Sequence, residues 1–183
     1  MKKKSTAVFP NALNGGLYMG LALIIYSLVT WAAGIHNNQY IGYLLFIIYA
    51  VLLFFTIKSY RNQILGGVIS YGRVLGYGVL ASLTTGVIMA VYTYLFFTVI
   101  DPDAINQMRI AQEEAMLAQG LSAEQVEMSM EIAARFSNPI TMSLGNILRM
   151  TFFGFIFALI EGIFLKREGD PFAAAMEGVD EDK

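Results

Sequence analysis

Cysteine is absent from the 183 residues, and histidine and tryptophan occur once each. The lack of thiols excludes a disulfide scaffold, thiolate zinc sites, iron–sulfur clusters and cysteine catalysis. The single His36 excludes multi-histidine metal sites and bis-histidine haem ligation. Charge is also scarce: 14% of residues are charged, against about 25% in ordinary soluble domains. A net charge of −2 and a pI near 5.4 provide no Lys/Arg stripe to neutralise phosphates, so nucleic acid is not an expected partner. No cofactor motif is present. Apolar side chains are abundant instead, at 56% of the chain, which argues against a water-soluble globule.

The apolar residues gather in four runs, at 17–33, 40–57, 74–100 and 146–165. A helix needs about 20 residues at 1.5 Å each to cross about 30 Å of hydrocarbon, and each run approaches or exceeds that length. The second carries no charge at all, whereas a soluble core helix would show a polar stripe every turn. The expected fold class is all-α, an integral membrane four-helix bundle with a periplasmic helical hairpin between the third and fourth spans. The chain divides into an N-terminal segment 1–16, spans one to three within 17–100, the hairpin at 101–139, the fourth span within 140–167, and an acidic tail 168–183 expected to be disordered.

Orientation follows from basic residues. Lys2, Lys3, Lys4, Lys58, Arg61, Arg73, Lys166 and Arg167 flank one side of the spans, whereas the other side has only Arg109 and Arg135. By the positive-inside rule both termini face the cytoplasm. Trp31, Tyr40 and Tyr43 at one boundary, and Tyr60, Tyr71 and Tyr77 at the other, fit aromatic belts. A cleaved signal peptide is the rival reading of 1–33, but the apolar run is long for an h-region and leads directly into a second span.

In lipid, helices associate by close backbone approach, so small residues four apart mark contact faces. The third span carries Gly78, Ser82, Gly86 and Ala90 at that spacing, the fourth Gly154, Ala158 and Gly162, and the first Gly16 and Gly20. The third and fourth helices are therefore expected to touch along these stripes. Glu161 projects about 20° from Gly154 on the helical wheel, into the same face. A carboxylate there calls for Arg73, Arg61 or Lys58 as an ion-pair partner, or else serves proton or ion coupling. Arg149 projects about 180° from the stripe, where it either snorkels outward or pairs with Asp101 or Asp103.

Several motifs fail on context. Gly76-Tyr77-Gly78 echoes a potassium-channel filter, but no Thr-Val precedes it and it opens a span on the basic side. The same glycines match neither a dinucleotide fingerprint nor a P-loop. Gly66 and Gly67 mark a turn, and 69–73 reads as a short amphipathic segment at the interface. Met108, Met116, Met128 and Met130 would suit copper(I), yet residues two apart on a helix point in nearly opposite directions and methionine commonly fills apolar gaps. His36 reads as a solvated loop residue.

The 101–139 segment holds seven acids against two arginines. Residues 103–118 are good helix formers, Gly120 ends that helix, and Ser122-Ala123-Glu124-Gln125 reads as a capping box opening a second helix to Phe136. Val126, Met130, Ala133 and Phe136, with Ile132 beside them, form an apolar face to be covered by the first hairpin helix, the membrane surface or a docking partner.

The four spans, Tyr60-Arg61 after the second, Gly66-Gly67-Val68-Ile69-Ser70-Tyr71-Gly72 leading into the third, Asp101-Pro102 closing it, and the helical insert before the fourth together resemble the bacterial membrane family called domain of unknown function 4199. The resemblance covers nearly the full length. It implies a small integral inner-membrane protein and supplies no catalytic or ligand residues.

Two functional readings stand. One is a non-enzymatic accessory or scaffolding subunit, embedded in the bilayer and engaging other membrane or periplasmic proteins, or a second copy of itself. The other is a small transporter or channel-like protein using Glu161 as a coupling carboxylate. An intramembrane enzyme lacks a constellation of acid, base or nucleophile at membrane depth.

Overall fold

Asn138 accepts a hydrogen bond from the Thr141 N–H at 2.9 Å and Pro139 occupies the first helical turn, so the last helix starts well before the apolar run that follows it. Asn38 caps the second span in the same way, accepting from the Tyr40 N–H, and each of the four spans is longer than its apolar stretch. In the computed structural model, which describes residues 6–35 and 38–167, the order is α1 (Val8–Ala32), α2 (Gln39–Gln63), α3 (Tyr71–Leu95), a π-helical turn (Phe96–Ile100), α4 (Ala104–Ala118), α5 (Ala123–Phe136) and α6 (Pro139–Leu165). The expected starts at 17 and 146 thus move to Val8 and Pro139, and the second span runs on to Gln63. His36, Lys2, Lys3, Lys4 and the acidic tail lie outside the described residues.

Four helical stretches are long and apolar enough to cross a membrane: Val8–Ala32, Tyr40–Gln63, Tyr71–Ile100 and Pro139–Leu165. Their outer faces carry bare large apolar side chains, with Leu148 75% and Phe164 74% exposed, an arrangement that requires lipid rather than water around it.

α3 is the central helix, packed most extensively on α6 and then on α1. The small residues explain why. Gly78 lies so close to α6 that a Cβ there would come within 2.5 Å of the Ala158 Cβ, and at Gly86 it would lie 3.0 Å from the Ile147 Cα. On the opposite side, Gly16 and Gly20 of α1 meet Thr84 and Ile88 of α3. Thr85 donates to the Gly16 carbonyl at 3.2 Å, a polar link inside the α1–α3 contact. α2 joins through aromatics: Tyr49 packs edge-on against Phe157 at 5.7 Å, and Tyr60 stacks on Tyr77 at 4.8 Å.

That stacking corrects the belt assignment. Tyr60 and Tyr77 are each 3% exposed, and Tyr60 donates to the Thr6 carbonyl at 2.8 Å, so both belong to the core. Tyr77 is helical, as are its flanking glycines. Tyr40 and Tyr43 remain exposed.

At the basic end, Gly66 and Gly67 turn the chain with φ of +69° and +96°. The segment after them is not an exposed interfacial helix. Ile69 is buried and exchanges both backbone hydrogen bonds with Arg167 at 2.9 Å, an isolated antiparallel bridge tying the α2–α3 connection to the end of α6. Among the described residues there is no β-strand.

Candidate functional site

Three places in the fold hold groups that helix packing alone does not require: the α3–α6 seam, the end of the bundle beside α4, and the surface of α5.

Along the seam, Gly154 faces a notch. A Cβ there would collide with the Ser82 Oγ and the Tyr49 hydroxyl. Tyr49 is fully buried and donates to the Met150 carbonyl at 2.8 Å. Ser82 is fully buried as well, and its Oγ has no hydrogen-bond partner. Further toward the basic end, Gly162 packs under the ring of Tyr71, whose hydroxyl donates to the Leu159 carbonyl at 3.1 Å. Ala90 is buried on α3. Glu161 lies between these positions, 8% exposed, with Oε2 unpartnered.

The expected cations do not reach it. Arg61 Nη1 donates to the Leu165 carbonyl at 3.1 Å, and Lys58 Nζ sits 5.9 Å from the centroid of Phe54. The ion pair among the described residues joins Arg135 to Glu131 on the surface of α5, leaving Arg73 unpaired with Glu161. An unpaired buried carboxyl group is costly to a membrane bundle.

The other intramembrane charge follows the same rule. Arg149 pairs with neither Asp101 nor Asp103. Asp101 Oδ2 accepts instead from Trp31 Nε1 at 3.0 Å, while Asp103 accepts from Asn106 and Gln107 at the start of α4. Arg149 Nη2 donates to Asn146 Oδ1, and its guanidinium lies 5.9 Å from the ring centroid of Phe46. Asn146 is held in turn by donating Nδ2 to Thr93 Oγ1 at 2.7 Å. This Thr93–Asn146–Arg149 chain escaped the sequence analysis. The signal was the three-residue spacing of Asn146 and Arg149, which places them on one helical face.

The chain opens on a cleft of about 810 Å³, bounded by the ends of α1, α3 and α6 and by α4. Its polar lining includes Arg109 as well as Arg149, with no Asp or Glu. The π-helical turn, closed by the Asp101 N–H donating to the Phe96 carbonyl at 2.8 Å, carries Phe96 and Phe97 into the wall. π-helical turns inside long helices often accompany functional sites because the extra residue per turn redirects side chains.

The insert between α3 and α6 forms where the sequence places it. Ser122 and Gln125 make both bonds of the capping box, and Gly120 at φ +83° ends the preceding turn. Val126 is 4% exposed, and Met130 lines the shallow groove it shares with Arg109, Glu113 and Leu117 of α4. Ala133 is half-buried. Of the four candidate docking residues, then, only Phe136 is open, at 63% exposure. The exposed apolar stripe on α5 is Met128, Ile132 and Phe136, spaced four apart on one face.

Four lipid-length helices wrapped around a small-residue seam make this a multi-pass helical membrane protein. The sequence model of the family described as "Protein of unknown function (DUF4199)" matches residues 14–167, and the chain belongs to that family. No curated protein and no solved structure matches it.

Proposed function

We propose that this protein is a non-enzymatic accessory or scaffolding subunit of a bacterial inner-membrane complex, with both termini cytoplasmic and the α4–α5 hairpin in the periplasm. The observation that carries this reading is the Met128–Ile132–Phe136 stripe, exposed on a helix whose other apolar face is already covered by α4. Acids Glu124, Glu127 and Glu131 border the stripe, so the partner it suits has an apolar centre with a basic rim. The absence of an acid–base or nucleophile constellation in the sequence supports a role without chemistry of its own.

The test is purification of the tagged full-length protein from native membranes in mild detergent, comparing stoichiometric partners across variants. Ile132→Ser with Phe136→Ser should remove a partner that Ile110→Ser, a change at an exposed position on α4, leaves bound. Deleting residues 104–136 should remove it as well. A complex indifferent to the double change and to the deletion defeats the proposal. Orientation is read separately by an impermeant thiol reagent on the cysteine-free chain. Ser122→Cys should label from outside and Gln63→Cys should not. Gln63 is preferred over Gly67 because a side chain at φ +96° is strained.

Glu161 supports a second reading, transport with this carboxyl group as the coupling residue, because its Oε2 is buried and unpartnered. Proteoliposomes should then show a proton- or ion-dependent flux that Glu161→Gln abolishes. Identical flux in both proteins ends that reading.

A further inference from the structure

We propose that the cleft beneath α4 binds one anionic phospholipid, its headgroup phosphate on Arg149 and an acyl chain along the apolar wall. The first support is electrostatic. The lining of the cleft includes Arg149 and Arg109 and no Asp or Glu, and Arg109 also borders the groove between α4 and α5 that holds Glu113, Glu127 and Glu131. Arg149 spends one of its five donors on Asn146 and forms no ion pair among the described residues. A guanidinium with spare donors in a place of low polarity is suited to a phosphate, which it can grip through two parallel hydrogen bonds.

Position is the second support. Arg149 stands 17 residues before Lys166 on α6, about 25 Å along the axis. With Lys166 at one headgroup level and about 30 Å of hydrocarbon to cross, the Arg149 backbone lies about one helical turn inside the opposite boundary, and its long side chain, tilted toward the start of α6, reaches toward the phospholipid phosphates there. Arg149 and Gly145 are themselves exposed, so this part of the cleft opens on the outer surface of a membrane-length helix rather than into a sealed core. A soluble anion would have no reason to seek such a place.

The third support is construction. Asn146 is 7% exposed and Thr93 8%, and their hydrogen bond holds the Asn146 oxygen that orients Arg149. The arginine is thus fixed by buried groups instead of snorkelling freely. Leu45, Met89 and Phe96 provide apolar wall, and the cleft volume of about 810 Å³ is within the usual range for a small-molecule site. Gly145 also lines it, and a Cβ at Gly145 would meet nothing within 4 Å, so that wall has unfilled room for a chain.

The experiment is native mass spectrometry of the full-length protein released from nanodiscs holding equal amounts of phosphatidylglycerol and phosphatidylcholine. The wild type should retain one phosphatidylglycerol in clear preference. Arg149→Gln should weaken that retention by roughly tenfold, the usual effect of losing hydrogen bonds to a charged group, and Arg149→Lys by less. Gly145→Leu attacks the other half of the site: it places a branched side chain in the chain's space at a position where the added Cβ meets no protein atom within 4 Å, and should lower retention of both lipids. Arg135→Gln, on the surface of α5, should change nothing. If Arg149→Gln fails to fold, the Gly145→Leu comparison still decides. Equal retention of the two lipids by the wild type overturns the proposal, as does phosphatidylglycerol binding that survives both the Arg149 and Gly145 changes. Displacement of the lipid by inorganic phosphate alone would show a site for the anion rather than the phospholipid, and overturns it too.

Discussion

The hydroxyl of Tyr49 donates to the carbonyl of Met150 at 2.8 Å, joining α2 to α6 in the middle of the bundle where no water competes for either group. The carbonyl belongs to a helical turn, and the bond joins two helices that also meet through aromatic rings and, at the basic end, through the Arg61 donation to the Leu165 carbonyl. Interhelical hydrogen bonds in membrane proteins contribute about 0.6 kcal/mol on average and up to about 1.7.

Tyr49→Phe should therefore cost about 1 kcal/mol, and Tyr49→Ala about 3–5 kcal/mol, because the second also empties a fully buried volume. Both follow from denaturant or thermal unfolding in detergent. A Phe variant as damaged as the Ala variant would mean that the hydroxyl, and not the ring, holds α2 in place.

Glycines separate by what stands opposite them. Gly154→Ala forces a methyl group into the Ser82 and Tyr49 side chains, whereas Gly76→Ala on α3 meets nothing within 4 Å. The first should destabilise by about 1–3 kcal/mol through overpacking, and the second should be neutral or gain up to about 1 kcal/mol of helix propensity. Thermal unfolding of the pair, side by side, checks it. Equal effects would remove the seam from its place in the fold.

These comparisons show where sequence sufficed. The α3–α6 seam was legible because small residues four apart have one physical meaning in a bilayer, and the α4–α5 turn was legible because Gly120 and the Ser122 capping box are local devices. Partners of charged and aromatic side chains were not. Trp31 meets Asp101 across 70 positions, and Tyr60 meets Tyr77 only after the Gly66-Gly67 turn has folded α3 back on α2. Such pairings depend on helix rotation, which a wheel drawn for one helix does not contain. The same limit left the cover of Val126 and Met130 open among the first hairpin helix, the membrane surface and a partner, and it is α4 that lies against them.

Glu161 gives a test of use against support. Its Oε2 is buried without a partner, and a buried polar group lacking a hydrogen bond costs about 1–3 kcal/mol in proteins, a penalty that an apolar side chain of similar volume removes. Glu161→Met should accordingly leave the unfolding temperature unchanged or raise it, while any transport that depends on the carboxyl group disappears. A marked fall in stability would make Glu161 a structural residue and remove the reason to look for flux.

Trp31 and Asp101 close the bundle at the end opposite the basic residues. The indole N–H donates to a carboxylate oxygen at 3.0 Å, and the ring rests edge-on against Phe96 at 6.0 Å, so one side chain links α1 to both the π-helical turn and the residue that ends it. Hydrogen bonds to charged groups contribute about 1.5–3 kcal/mol, and two residues in direct contact show coupling that distant pairs do not. A double-mutant cycle with Trp31→Phe and Asp101→Ala should return a coupling energy of about 1–3 kcal/mol, while Asp101→Ala combined with Thr56→Ala, far along the bundle, should add independently. Because Trp31 is the sole tryptophan, its fluorescence reports this corner directly, and Asp101→Ala should move its emission even where the fold is kept. Additivity of the Trp31 and Asp101 changes, with the emission unmoved, would mean that α1 is held at this end by the Phe96 contact and by the Tyr92–Ser27 hydrogen bond rather than by Asp101.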